Sequence, residues 1–183
     1  MTTTSNLNFR LAKVDDVDKI VTLINEAFRD DNTTQVFLDA DHARVDVADT
    51  ATMKAGIAQP DRKVFVATDS TGDIVGHCSV RQLPDNVGWL GLLAVNVHSK
   101  NRGLGSQVLK HAENYARREL GDKRMEFDVV CTRAELIAWY TNRGYTPTGK
   151  TTPFPYDHHK DWQGVLRDDL YFVTFGKDLT AEA

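Results

Sequence analysis

The run Gly88-Trp89-Leu90-Gly91-Leu92-Leu93-Ala94-Val95-Asn96-Val97-His98-Ser99-Lys100-Asn101-Arg102-Gly103-Leu104-Gly105-Ser106-Gln107-Val108-Leu109 constrains this chain more than any other segment. Gly88 to Val97 is apolar almost throughout, which suits a central strand covered on both faces. It enters a basic turn bearing Gly103 and Gly105, and from Leu104 onward Val108, Leu109, Ala112, Tyr115 and Ala116 form one helical stripe. Glycines let the backbone turn tightly and let a ligand approach with no Cβ in the way. The first N–H groups of a helix have no intrahelical partner, and the helix dipole adds positive potential there. Lys100 and Arg102 add full charges beside it, so the turn is a seat for a phosphate or pyrophosphate. A Walker-type loop is excluded, because no Gly-Lys-Ser/Thr follows. A dinucleotide-type Gly-x-Gly-x-x-Gly would need glycine at Val108. The same Gly-x-Gly also occurs as a plain tight turn, so the glycines alone leave the ligand open.

The other elements surround this run. Asn8 to Val14 reads as an opening strand, followed by acidic Asp15-Asp16 at a helix start and by Val17, Ile20, Val21, Ile24, Ala27 and Phe28 at helical spacing. Residues Arg29 to Asp49 are polar and ambiguous, and Thr50 to Ala58 reads as a second helix ended by Pro60. Lys63–Thr68 and Ile74–Val80, joined by the turn cluster Asp69–Asp73, read as a hairpin. After the glycine turn and its helix, which Gly121 caps, Met125, Phe127 and Val129 alternate with Glu126 and Asp128 in a strand. Ala134 to Asn142 is a short helix, Tyr145–Lys150 and Leu170–Phe175 are two last strands, and Thr151 to Asp168 is an irregular loop between them. The order β-α-α-β-β-β-α-β-α-β-β predicts an α/β or α+β domain on one mixed sheet. With 183 residues and no linker or repeat, a single domain over 1–183 is expected.

Composition narrows the function classes. Lys+Arg 22 against Asp+Glu 26 gives a net charge of −4, which argues against nucleic acid or an anionic membrane as a partner. No apolar run approaches the roughly 20 residues that span a bilayer, and Met1 to Asn6 lacks the basic and apolar regions of a signal peptide. Cys78 and Cys131 sit in apolar runs and read as free thiols of a reducing compartment, so a cytoplasmic location is expected.

Leu93-Ala94-Val95 followed by Lys100-Asn101-Arg102-Gly103-Leu104-Gly105-Ser106 resembles the acyl-CoA-binding motif of the GCN5-related N-acetyltransferases, Gln/Arg-x-x-Gly-x-Gly/Ala after the fourth strand. Glu135-Leu136-Ile137-Ala138-Trp139-Tyr140-Thr141-Asn142-Arg143-Gly144-Tyr145 is similar to the family's C-terminal Ala-x-x-Phe/Leu-Tyr-x-x-x-Gly-Phe/Tyr segment. The resemblance covers nearly the whole chain. It implies a mostly antiparallel central sheet splayed between strands 4 and 5 and flanked by about four helices. It implies acetyl-CoA as co-substrate, with pantetheine beside Val95 and Val97 and the pyrophosphate on Lys100, Arg102, Gly103, Leu104, Gly105 and Ser106. Tyr140 matches the family's helix tyrosine and so takes the role of acid toward the leaving thiolate. Three positions depart from the family pattern: Lys100 replaces Gln or Arg, Arg133 replaces an Asn, and Trp89 stands where many members carry a proton-relaying Glu.

That last departure leaves the base open among Glu26, Asp85, His98, Glu126, His158 and a water chain. Adjacent His158 and His159 point apart on extended chain and have no His or Cys at ligand spacing, so no metal is expected. Cys131 has no activating His nearby in sequence and reads as a small core thiol. The family walls its acceptor site with the end of the first helix and the late loop. Those segments carry Glu26, Asp30 and Asp31, and Tyr156, Asp157 and Asp161, and point to a small cationic amine. The expected activity is direct acetyl transfer from acetyl-CoA to a primary amine. The alternatives are a protein N-terminal or lysine acetyltransferase, a non-catalytic acyl-CoA-binding or sensor module, and a nucleotide-binding turn. Homodimer formation stays open.

Overall fold

In a computed structural model, residues 7–29, 47–99, 103–156 and 168–180 are described. The first strand, β1 (Asn8–Leu11), is shorter than its alternation suggests. Asp16 stops it by accepting from the Lys13 amide at 2.7 Å and from both Arg10 terminal nitrogens at 2.6 and 2.8 Å, which turns Val14–Asp16 into one turn of 3-10 helix. Helix α1 (Val17–Arg29) follows directly and buries Val17, Ile20 and Ile24 against Val64, Val66 and Ala94 of the sheet. Full burial of side chains of this size is worth about 1.5–3 kcal/mol each. Helix α2 (Thr50–Ala58) begins at Asp49, whose carboxylate accepts from the Thr52 amide at 2.9 Å. Buried Asn25 of α1 binds Val47 and Ala48 through three backbone hydrogen bonds and fixes the approach to α2.

Next come β2 (Arg62–Thr68), β3 (Ile74–Leu83) and β4 (Val87–Val95). Helix α3 (Leu104–Glu119) is ended by Gly121 at φ 72°, where the Asp122 amide bonds back to the Ala116 carbonyl. The chain continues through β5 (Arg124–Val130), α4 (Ala134–Thr141), β6 (Thr146–Pro153) and β7 (Tyr171–Asp178). These strands form one seven-stranded sheet in the order β1-β2-β3-β4-β5-β7-β6. Its described pairings are antiparallel except β4 with β5. The element order and the mixed, mostly antiparallel sheet with four α-helices agree with the sequence expectation.

Each face of the sheet has its own core. Phe65, Cys78, Val80, Leu90, Met125, Phe127 and Phe175 meet Val108, Leu109, Ala112 and Ala116 of α3 on one face. Val64, Val66 and Ala94 meet α1 and α2 on the other. Fully buried Tyr145, between α4 and β6, donates to Glu113 of α3 at 2.9 Å, and Lys177 of β7 bonds both oxygens of that carboxylate at 3.2 and 3.3 Å. The buried charge is thereby paired and hydrogen-bonded, as burial demands. Several boundaries differ from the sequence reading: β1 stops at Leu11, β3 runs on to Leu83, and β7 runs on to Asp178. β6 extends to Pro153, into the stretch read as loop, and β4 ends at Val95 rather than Val97.

Candidate active site

β4 and β5 pair over only three residues, Val87 with Arg124, Gly88 with Met125 and Trp89 with Glu126. Beyond Trp89 the two strands part. β4 stays paired with β3 up to Val95, and β5 stays paired with β7 up to Val130. The facing edges of Leu90–Val95 and Phe127–Val130 therefore have no strand partner among the described residues; the Val130 carbonyl accepts from the Arg133 amide at 3.0 Å, and the edge before it can receive an extended ligand. A bulge lies within the opening. His77 pairs with Ala94 and Ser79 with Gly91, so Leu92 and Leu93 together oppose Cys78. Leu92 adopts φ 45°, a conformation that is costly for a residue with a Cβ and that kinks the edge.

Val95 ends the open edge of β4, but Val97 lies beyond it. Asn96 accepts from the His98 amide through its side chain at 2.9 Å, and this turns Val97–Ser99 into a 3-10 turn, so Val97 offers no strand edge. Lys100, Arg102 and Asp157 lie outside the described residues, as do Asp30, Asp31, His158, His159 and Asp161.

Gly103 caps α3 at φ 70°, in the left-handed region, and brings no side-chain cap. The leading amides of Leu104, Gly105 and Ser106 thus lack the intrahelical partners that later turns enjoy. Gly105 has a second reason to be glycine: a Cβ there would stand 3.2 Å from the Trp139 ring. Trp139 in turn carries the Arg143 guanidinium stacked 3.7 Å above its centroid. Arg143 donates to the Ser106 hydroxyl from Nη2 at 2.7 Å and Nε at 3.2 Å, and to the Trp139 carbonyl at 2.7 Å. A positive charge from the turn after α4 is therefore fixed at the N-terminus of α3. Sequence reading assigned that charge to Lys100 and Arg102 and overlooked Arg143, although it lies inside the second quoted motif.

Tyr140 is buried on α4, with its ring 4.1 Å from Phe127 and 4.8 Å from Trp139. Burial holds its phenol well above the ordinary value, while Arg133 and Arg143 pull weakly the other way. Its hydroxyl makes no hydrogen bond to a described residue and lies within electrostatic reach of Cys78, which faces the β4 bulge. Cys78 itself is a free, buried thiol pushed up to about 12 by burial, and Cys131 is also free.

The acceptor-side residues fare differently. Glu26 stands exposed on α1. The Tyr156 hydroxyl accepts from the Leu170 amide at 2.8 Å, and its ring packs 5.0 Å from Phe154, so it closes the neck of the late loop. Glu126 is buried and held by Arg124 at 2.7 Å and Lys150 at 3.4 Å. Asp128, two residues further along β5, accepts from Thr174 at 2.7 Å through Oδ1. Among the described residues no group of His, Cys, Asp and Glu is arranged to hold a metal ion.

An opened parallel pair in an otherwise antiparallel sheet, with two helices starting at the open end, defines a class of acyl-group transferases. The sequence model described as "Acetyltransferase (GNAT) family" matches residues 19–145, and the chain belongs to that family. No curated protein matches it in sequence. Solved structures share its fold at low identity. A chimera of the spermidine N-acetyltransferase SpeG from Vibrio cholerae with hSSAT is 11% identical, with a TM-score of 0.70 over 97% of this chain and 98% of that one. A GNAT-family acetyltransferase from Staphylococcus aureus Mu50 is 14% identical, with a TM-score of 0.66 over 96% and 100%. An IAA acetyltransferase from Bacillus cereus ATCC 14579 is 12% identical, with a TM-score of 0.64 over 94% and 99%.

Proposed function

We propose that the protein transfers the acetyl group of acetyl-CoA directly to a primary amine of a small molecule. The carrying observation is the β4–β5 opening, whose unpaired edge Leu90–Val95 leads straight toward the uncapped start of α3. The edge suits the amides of an extended chain, and the leading amides of α3 with Arg143 suit a pyrophosphate. Acetyl-CoA supplies the activated thioester. The chain's own part is to align the amine with it, accept a proton from the amine, and return one to the leaving sulfur. Tyr140 takes the last step in this reading, which is supported by burial that holds its phenol in the protonated form.

Among the fold's neighbours, the spermidine N-acetyltransferase chimera is named for a cationic amine, which is in line with the net charge of −4 and the acidic segments near the acceptor side. Among the described residues no helix is long and apolar enough to cross a membrane, and two free thiols fit a reducing, cytoplasmic setting. The test is release of free thiol from acetyl-CoA with a panel of polyamines, amino acids and neutral amines. Release that depends on one class of amine is expected, and it should weaken with salt for a cationic acceptor. Tight binding of acetyl-CoA with no amine-dependent release would instead establish a non-catalytic acyl-CoA module.

A further inference from the structure

β4 carries no titratable side chain from Val87 to Val95, so an amine entering the opening must lose its proton to something else. On β5, Met125, Phe127 and Val129 point into the α3 core, and alternation sends Glu126 and Asp128 to the face shared with α1 and α2. Glu126 stands where the strands are still paired, and its charge is taken up by Arg124 and Lys150. Asp128 stands past the last pair. Counted on two residues from the last pair, Trp89–Glu126, the β4 residue at the level of Asp128 is Gly91, which carries no side chain. Thr174 fixes Oδ1 at 2.7 Å, while Oδ2 has no hydrogen-bond or ion-pair partner among the described residues. On this face β3 also carries His77 and Arg81, the latter paired with Trp89, and Arg62 of β2 and Asp49 line the hollow that His77 lines. The Nδ1 of His77 lies 3.1 Å from the Phe65 carbonyl, and the residue lines that hollow with Met53 and Leu92 beneath α2. Arg133 at the start of α4 lies over Phe28 of α1, 5.4 Å from the ring centroid.

We infer that Asp128, oriented by Thr174, is the group that receives the amine's proton and takes the part that no β4 side chain can play. In the step, the amine nitrogen forms the new C–N bond as the thioester C–S bond breaks. One amine proton passes to Oδ2 of Asp128 and on to solvent, and the sulfur takes a proton from Tyr140, which solvent restores. This inference rests on the acetyltransferase reading above, and the two fail differently. Absence of amine-dependent thiol release from the unaltered protein sinks that reading and this inference with it.

Given an active protein, Asp128→Asn should lower kcat/KM for the amine about 100-fold at pH 7, within the range of a positioned proton acceptor. Acetyl-CoA affinity should be unchanged, and the deficit should shrink as pH rises and the amine loses its proton to solvent instead. Asp128→Glu should recover part of the loss. Thr174→Val, which keeps the carboxylate but frees it, should cost several-fold in kcat/KM with the same pH shape. An Asp128→Asn protein within about twofold of the parent overturns the inference. So does a deficit that is the same at every pH, or one reproduced by His77→Gln while Asp128→Asn remains active.

Discussion

At the scale of single residues, two buried groups show how environment decides what a side chain can do. Tyr140 sits among Phe127, Trp139 and Tyr145, an aromatic patch that would suffice to explain it as core. The family resemblance implies a proton for it, and its hydroxyl has no hydrogen bond to a described residue, so the two roles separate on substitution. Tyr140→Phe keeps the ring and the packing, and it should lower kcat about 100-fold while acetyl-CoA affinity stays within twofold. Equal loss of kcat and of thermal stability would return the residue to the core. His77 is the second case. Burial lowers its pKa from 6.5 to about 4, against a weaker opposite pull from the Phe65 carbonyl. Between those values the unfolded chain binds a proton that the folded one refuses, so stability falls as pH drops through that window. The full loss is about 3 kcal/mol at roughly 1.4 kcal/mol per unit. Thermal melts from pH 7 to pH 4 should show this decline, and His77→Gln should make it shallower, leaving the parts due to His111, whose pKa burial also lowers, and to carboxylates such as Asp16, which Arg10 holds down at about 2. A wild-type melting temperature that does not move across that range contradicts the assignment.

At the scale of elements, the start of α3 shows what sequence can and cannot convey. Glycine at 105 was read as room for a ligand, and the structure adds that it is also room for Trp139. Alanine usually stabilises a helix by about 1 kcal/mol over glycine, but here its Cβ at 3.2 Å from the ring must displace Trp139 and with it the Arg143 stack. Gly105→Ala should therefore lower the melting temperature in the parent and raise it in a Trp139→Leu background. The sign change in a double-mutant cycle is the measurement, and additive effects would mean that Trp139 gives way freely. Periodicity made the helices and strands legible because each buries one face or both, and the paired clusters on either side of the sheet follow that pattern. The strand parting after Trp89 was legible only through resemblance, since nothing in Leu90–Val95 marks where pairing stops. Asp128 was legible in principle from its alternation with Phe127 and Val129, but its importance depends on the register with β4, which no local pattern carries. Arg143 was hidden for a similar reason: its partner, Ser106, lies 37 residues away.

At the scale of the whole molecule, the account is that the sheet is deliberately incomplete. Helix α1 and helix α2 cover one face, α3 covers the other, and the gap between β4 and β5 opens where α3 and α4 begin. The buried Tyr145–Glu113–Lys177 network ties α3 to the β6–β7 side of the sheet. A rigid opening of this kind can bind an extended thioester carrier without a large rearrangement, and micromolar affinity, about −8 kcal/mol, is the expected scale. Leu90–Val95 and the leading amides of α3 are proposed to form the acetyl-CoA site together. Amide hydrogen exchange followed by mass spectrometry, with and without saturating acetyl-CoA, tests this most directly. The account predicts that protection is gained in peptides covering 90–95 and 103–107, with little change in α2 or β6. Tight binding with no protection in either segment, or protection confined to the face under α2, would contradict it.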